Sequence, residues 1–273
     1  MLDDTRYTLS DRDLDSLTKL LLSTQENIES RSRSVCFRVQ SGSAFANIAR
    51  HIEREVFEQS FGNSDEIMAA EYGPYDYPGR STFFISIDRE ERTAAGAARM
   101  IHHSPVGFKT LNDLDKQGSP TSSGPLASRL QTDHGVTKLD TCWDHATLAV
   151  RKSFRHGGTY AGLSVQLHRA SYVSAIELGI DHVVSVLDIR ALKQIRDYLG
   201  VPFVPLCGSG VFPYLGSEHS QAVYGFYPEF YQVMAGWRRF KPKRFLARHA
   251  YRELVLGAND DALMFGTHRE PAA

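Results

Sequence analysis

Residues 141–188 read "TCWDHATLAVRKSFRHGGTYAGLSVQLHRASYVSAIELGIDHVVSVLD". The fold turns on how this stretch is parsed. "TCWDHATLAV" (141–150) predicts a strand, and "RKSFRHGGTY" (151–160) is a basic turn with two adjacent glycines. Over 160–179, Leu163, Leu167, Ala170, Ser174 and Leu178 recur at helical spacing. "HVVSVLD" (182–188) is a short apolar run of the kind found in strands covered on both faces. Strand, helix and strand in this order make a parallel crossover, which puts the chain in the α/β class with a mixed sheet flanked by helices.

Working outward, "SVCFRVQ" (34–40) alternates and reads as a strand. Residues 43–61 read as a helix through Phe45, Ile48, Ala49, Ile52 and Val56, with Ser43 as its N-cap. "EYGPYDYPGR" (71–80) is turn-rich, and "STFFISID" with "AAGAARMIHH" makes a hairpin around the charged turn "REERT". "DKQGSPTSSGPL" (115–126) is expected to be a mobile surface insertion within a weakly patterned region, 115–136. "IRALKQIRDYLG" (189–200) predicts a short helix closed by Gly200, and "SQAVYGFYP" another strand. Leu14, Leu17, Leu20, Leu21 and Ile28 predict a helix over 11–30. The expected organisation is an N-terminal helical extension (1–32), one core domain (33–236) and a C-terminal appendage (237–273).

The bulk numbers exclude several classes. A formal net charge of −1 gives no whole-chain field toward nucleic acid or membrane. Cys36, Cys142 and Cys207 are odd in number, far apart and lack a C-x-x-C, so neither a disulfide framework nor a zinc site is expected. The acidic start "MLDDTRYTLSDRDLDS" has no signal-peptide order, and no run of about 18 apolar residues spans a membrane. A reducing, cytoplasmic setting is expected. His102 and His103, adjacent in a strand, face opposite sides and do not share a metal.

The basic turn is the candidate anion site. A turn that opens a helix exposes backbone N–H groups without intrahelical partners, and the helix dipole favours an anion there. Arg155, His156, Gly157, Gly158, Thr159 and Tyr160 form the turn, with Arg151 and Lys152 beside it. There is no G-x-x-x-x-G-K-[ST], and "GGTYAG" is not G-x-G-x-x-G, so neither a P-loop nor a Rossmann site is indicated. A second basic segment, "WRRFKPKRFLARHAYR" (237–252), carries Arg238, Arg239, Lys241, Lys243, Arg244, Arg248 and Arg252 with no acid, and so suits an anionic partner.

Strand, basic turn and helix, with Arg155 and Gly158 at two positions of [QR]-x-x-G-x-[GA], resemble the acyl-CoA motif of the GNAT acyltransferase superfamily. Further residues resemble acyl-homoserine lactone (autoinducer) synthases and long-chain N-acyl amino acid synthases. Arg54 and Phe57 fit R-x-x-F; Glu71, Tyr75 and Asp76 fit E-x-D-x-[FY]-D; Gly96 and Arg99 follow, and Asp144 and Val150 stand in a strand like E-x-S-R-F-x-V. The resemblance implies a GNAT-like fold and an N-acyltransferase. Its donor would be an acyl-phosphopantetheine thioester on CoA or an acidic acyl carrier protein, and its acceptor a small amine.

On that reading the phosphate lies in the 155–160 turn, and Arg54, Glu71, Asp76 and Arg99 form a charged substrate-site cluster. The amine must lose a proton, for which Asp144 is the first candidate base and His145 the second. The resemblance assigns the oxyanion to the backbone N–H of Ala149 or Val150, and Tyr198 is the candidate acid toward the thiolate. No cysteine stands where a nucleophile is expected, so attack is direct. Two other readings fit the same residues. One is aminoacyl transfer from charged tRNA, docked on the basic tail. The other is a non-catalytic GNAT-like binding domain, which Gly73, Thr147, Tyr160 and Arg196 at altered motif positions would suit.

Overall fold

The computed structural model describes residues 6–24, 33–117, 125–155, 163–199, 201–230 and 255–257. In chain order the strands are β1 (Ser34–Gln40), β2 (Ser81–Asp88), β3 (Thr93–His102), β4 (Cys142–Val150), β5 (His182–Asp188), β6 (Val204–Pro205), β7 (Val211–Tyr214), β8 (Ser217–Phe226) and β9 (Val255–Gly257). The helices are α1 (Asp11–Ser23), α2 (Ala46–Phe61), α3 (Asp65–Tyr72), α4 (Lys109–Lys116), α5 (Leu126–His134), α6 (Leu163–Glu177) and α7 (Ile189–Gln194).

All nine strands form one mixed sheet in the order β6-β8-β5-β4-β3-β2-β1-β9, with β7 also on β8. β1 to β4 pair antiparallel in sequence order, and β4 pairs parallel with β5 across α6. The α/β class and the 141–188 crossover therefore stand as expected. One face of the sheet packs α1 and α2 through Val35, Phe37, Val39, Phe83, Ile85 and Ala149. The other packs α6 through Cys36, Phe84, Trp143 and Val183. A third apolar cluster seats α4 and α5 through Leu111, Leu114, Leu126 and Leu130 against Cys142, Val184 and Ala222.

Several expectations are corrected. α2 begins at Ala46 rather than Ser43, because the Ser43 hydroxyl accepts the Phe45 N–H at 3.1 Å and closes the preceding turn. α3 was not predicted, although Ser64 caps it by accepting from the Ile67 N–H. Within the stretch expected as loop, residues 126–134 are a helix that buries Leu126 and Leu130 and ends at Gly135 with φ 70°. Residues 118–124 of that stretch lie outside the described residues. α7 stops at Gln194 and runs into a wider π turn through Leu199; Gly200 lies outside the described residues. β9 belongs to the segment expected as an appendage, yet pairs parallel with β1 at Cys36–Arg38. Among the described residues no helix is long and apolar enough to cross a membrane.

Candidate functional site

β4 and β5 part company early. Their ladder holds three residue pairs, Cys142–His182, Trp143–Val183 and Asp144–Val184. Beyond Asp144, β4 stays paired only with β3, while β5 stays paired with β8 as far as Asp188. The Ser185 hydroxyl still reaches the His145 carbonyl at 2.7 Å, bridging the strands just past the last pair.

The register decides which backbone groups face this gap. The Arg151 N–H donates to the Ala95 carbonyl at 2.9 Å. In an antiparallel ladder alternate residues then share that direction, so Ala149 and Thr147 also turn their backbone groups to β3. Leu148 and Val150 turn theirs toward the gap. The Val150 carbonyl accordingly accepts from the Arg155 guanidinium at 2.7 Å. Of the two N–H donors named from sequence, Val150 faces the gap and Ala149 does not; Leu148 was missed.

A bulge sets the side chains. Arg99 opposes Thr147 and Met100 opposes His145, so Ala146 is the extra residue. The bulge shifts the alternation by one. Asp144, Thr147 and Ala149 look toward α2 and α4, whereas Trp143, His145, Leu148 and Val150 look toward α6.

On the α2 face lies a closed ionic network. Arg99 holds Glu53 at 2.6 Å and Asp76 at 3.3 Å, and Arg50 holds Asp76 at 3.0 Å. All four side chains are at most 2% exposed. Two cations meet two carboxylates, which offsets the desolvation each would suffer alone. Tyr7 donates to Asp76, Thr147 donates to Glu53, and Arg50 also donates to Asn47 and the Ser41 carbonyl. Burial works against the Arg99 charge, but Glu53 and Asp76 outweigh it and hold its pKa well above the usual value.

Of the four residues grouped from sequence, the structure brings two together. Asp76 and Arg99 meet as expected. Arg54 does not join them: it pairs with Glu58 and Asp65 at the exposed side of α2. Arg50, one turn earlier, takes that place, and Glu53 was missed. Glu71 lies nearby but pairs with Lys109, a buried ammonium that also contacts Asp113. The Tyr72 ring joins the two groups, with Arg99 4.6 Å and Lys109 5.0 Å from its centroid.

Asp144 is fully buried at the last rung of the β4–β5 ladder. Its carboxylate accepts the Thr110 N–H at 2.6 Å and the Thr110 hydroxyl at 2.8 Å. Thr110 is in the first turn of α4, whose N-cap, Phe108, offers no side-chain acceptor. Asp144 therefore supplies the missing cap from another element, where the helix dipole favours an anion. Burial pushes its carboxyl up to about 6, against these hydrogen bonds and Lys109. His145 sits on the opposite face, and burial lowers its pKa to about 3.

In the basic turn, Arg151 is engaged by Glu55 at 2.7 Å, so it adds little free charge to an anion site. His156, Gly157, Gly158, Thr159 and Tyr160 lie outside the described residues, as do Arg238, Arg239, Lys241, Lys243, Arg244 and Arg248. The backbone of Tyr198 is in the π turn after α7, and its side chain is outside the described residues.

No protein-family model matches the chain, and neither does any curated protein. Among solved structures it is similar to FeeM, an N-acyl amino acid synthase from uncultured soil microbes. The TM-score is 0.51 at 16% identity, over 73% of this chain and 94% of that one. The acyl-homoserine lactone synthase LasI aligns at a TM-score of 0.48 and 12% identity, over 72% and 91%. BjaI, a CoA-dependent acyl-homoserine lactone synthase, aligns at 0.45 and 15%, over 82% and 93%. The likeness to FeeM shows the fold: a GNAT-like α/β sheet.

Proposed function

We propose that the chain is an N-acyltransferase. It moves an acyl group from a phosphopantetheine thioester, on an acyl carrier protein or CoA, to the amine of a small molecule such as an amino acid. The observation that carries this reading is the β4–β5 ladder that stops at Asp144–Val184 within a GNAT-like fold. The interruption leaves backbone donors along β4 for an extended thioester arm. A closed ladder would consume them.

The amine nitrogen attacks the thioester carbonyl, forming C–N and then breaking C–S. The Leu148 and Val150 N–H groups, fixed before substrate arrives, are the donors for the oxyanion. A proton leaves the amine, and the departing thiolate takes one up. Asp144 is the base we assign: its carboxyl, drawn up to about 6 by burial, is near the working pH and lies where the strands part. The three cysteines support direct attack. Each is buried, and burial raises its thiol, that of Cys207 to about 11, so none is a ready thiolate. Three unpaired cysteines also suit a cytoplasmic setting. The donor phosphate is assigned to the 155–160 turn, and an acidic carrier protein to the basic residues of the tail.

The test is to incubate the protein with an acyl carrier protein thioester, acyl-CoA or charged tRNA, each with a pool of amines, and to seek new amides by mass spectrometry. Amide from a thioester donor supports the proposal. Amide formed only from charged tRNA and abolished by ribonuclease would move the reading to aminoacyl transfer. Absence of amide from every donor, with native circular dichroism, would leave a binding domain.

A further inference from the structure

Lys109 opens α4 at an unfavourable place for a cation. The first turn of a helix carries the positive end of its dipole, and the Lys109 side chain is only 2% exposed there. An apolar side chain would avoid both costs. Carboxylates compensate the ammonium instead: it contacts Glu71 of α3 and Asp113, one turn further along α4. The Tyr72 and Tyr214 rings stand 5.0 and 5.6 Å from it. Tyr214 of β7 in turn donates to Asp113 at 2.6 Å.

The next residue, Thr110, gives both its N–H and its hydroxyl to Asp144. The Lys109 ammonium is therefore carried on the same turn that grips the carboxylate at the last rung of the β4–β5 ladder. Burial raises the Asp144 carboxyl; the Thr110 hydrogen bonds and the Lys109 charge oppose it, while Asp113 adds to it.

The other ionisable groups around Asp144 carry no competing charge. Burial raises the Cys142 thiol and the Tyr72, Tyr75 and Tyr214 hydroxyls, Tyr75 to about 12, and the Asp144 charge raises them further. All four stay neutral near pH 7. Glu53 and Arg99, which also act on Tyr72, are paired with each other. Glu71, the most exposed of the ammonium's partners at 36%, is the one nearest water.

We propose that Lys109 is a positioning residue that acts through Asp144: held by Glu71 and Asp113 on the turn that grips the carboxylate, its ammonium keeps Asp144 ionised and so able to take the proton of the amine. This rests on Asp144 as the base of the acyltransferase and adds the group that governs it.

The experiment follows the Asp144 carboxyl itself in the full-length protein. With ¹³C-labelled aspartate, its Cγ resonance, assigned by its loss in Asp144→Asn, is titrated in the wild type, Lys109→Met and Asp113→Asn. Lys109→Met is expected to raise the midpoint by about one pH unit, since a nearby opposite charge shifts a carboxyl by about 1–3 units. Asp113→Asn is expected to lower it. The acid limb of the rate profile should move with each midpoint, and Lys109→Arg, which keeps the charge, should return it to the wild-type position. Mere loosening of α4 would admit water to Asp144 and lower the midpoint in both variants. Shifts of the same sign, or none, therefore overturn the proposal and leave Lys109 a packing residue. Should Lys109→Met misfold, the wild-type ¹⁵N spectrum decides: the Lys109 Nζ resonance must step at the Asp144 midpoint, and must stay flat there in Asp144→Asn. Opposed midpoint shifts with no amide from any donor uphold the control of Asp144 by Lys109 and remove the acyltransferase reading, so the two fail separately.

Discussion

The two faces of β4 treat buried polarity in opposite ways. Toward α2 and α4, Glu53, Arg99, Asp76, Arg50 and Thr147 pair with one another, one Arg99 amino group having only its ion contact to Asp76, and Asp144 takes two hydrogen bonds from Thr110. Toward α6, His145 and His168 keep buried ring nitrogens without partners beside a cavity. On the first face the charges of Arg50, Glu53, Asp76 and Arg99 pair within the fold itself and position α2 on the sheet. The second leaves its two ring nitrogens to water or to a ligand. Charge density alone is therefore a poor guide to function here: most of the charge on the first face does the holding.

The sharpest way to break this contrast is Glu53→Ala. It would leave the Arg99 guanidinium buried with Asp76 alone, and removing one partner of a buried pair costs about 3–5 kcal/mol. Urea denaturation should register a loss of that order. The double variant Glu53→Leu/Arg99→Met removes both charges and should recover most of it. A single-variant cost below about 1 kcal/mol would mean that the network does not hold α2 on the sheet.

The second prediction sets Asp144 against the histidines. In Asp144→Asn the acidic limb of the rate profile, near pH 6, should vanish and kcat should fall by about 10²–10⁴-fold. Unaltered kcat with lowered stability would reduce Asp144 to the cap of α4. Stability follows opposite signs on the two faces. The Asp144 carboxyl is raised above its unfolded value, so its burial is a cost at neutral pH that fades as pH falls from about 6 toward 4. His145 and His168 are lowered from 6.5 to about 3 and 4, so the stability that their neutral forms contribute is complete above 6.5 and is lost as pH falls toward those values. His145→Phe/His168→Phe should flatten the acid-side loss of stability below pH 6.5, measured by thermal melts across pH.

The crossover, the hairpin and β8 were legible because alternation and helical spacing are local signals. The content of the β4 faces was legible only up to the bulge. Strand alternation alone sets His145 opposite Asp144, as observed, but nothing in "DHATLAV" announces that Ala146 is the extra residue, since that depends on pairing with β3. Arg50 was hidden for a different reason. Residues 46–53 are buried on every side of α2, because the segment around Tyr7 and Leu9 crosses it; the Leu9 N–H reaches His51 and the Arg6 N–H reaches Asn47. An amphipathic reading assumes one wet face, and this half of the helix has none. α4 and α5 were missed because they flank a Gly/Ser/Pro-rich run and each carries only two leucines among mostly polar residues.

Smaller effects test the edges of the network. Thr147→Val removes a hydroxyl that donates to the Glu53 carboxylate but leaves the Arg99 pair in place. The expected loss is about 1.5–3 kcal/mol, the range for a hydrogen bond to a charged group. Arg54→Ala should do least. Its partners Glu58 and Asp65 are about half exposed, at 53% and 45%, so water replaces what the guanidinium gives them. Exposed pairs contribute roughly 0.2–1 kcal/mol, and raising salt should shrink the difference further. Arg50→Ala, one turn away, strands Asp76 beside Tyr7 with only the 3.3 Å contact to Arg99, and should cost several times more. Measured by the same urea titration, equal costs for the two arginines would mean that the buried Arg50 anchors this end of α2 no more than the motif position Arg54 does.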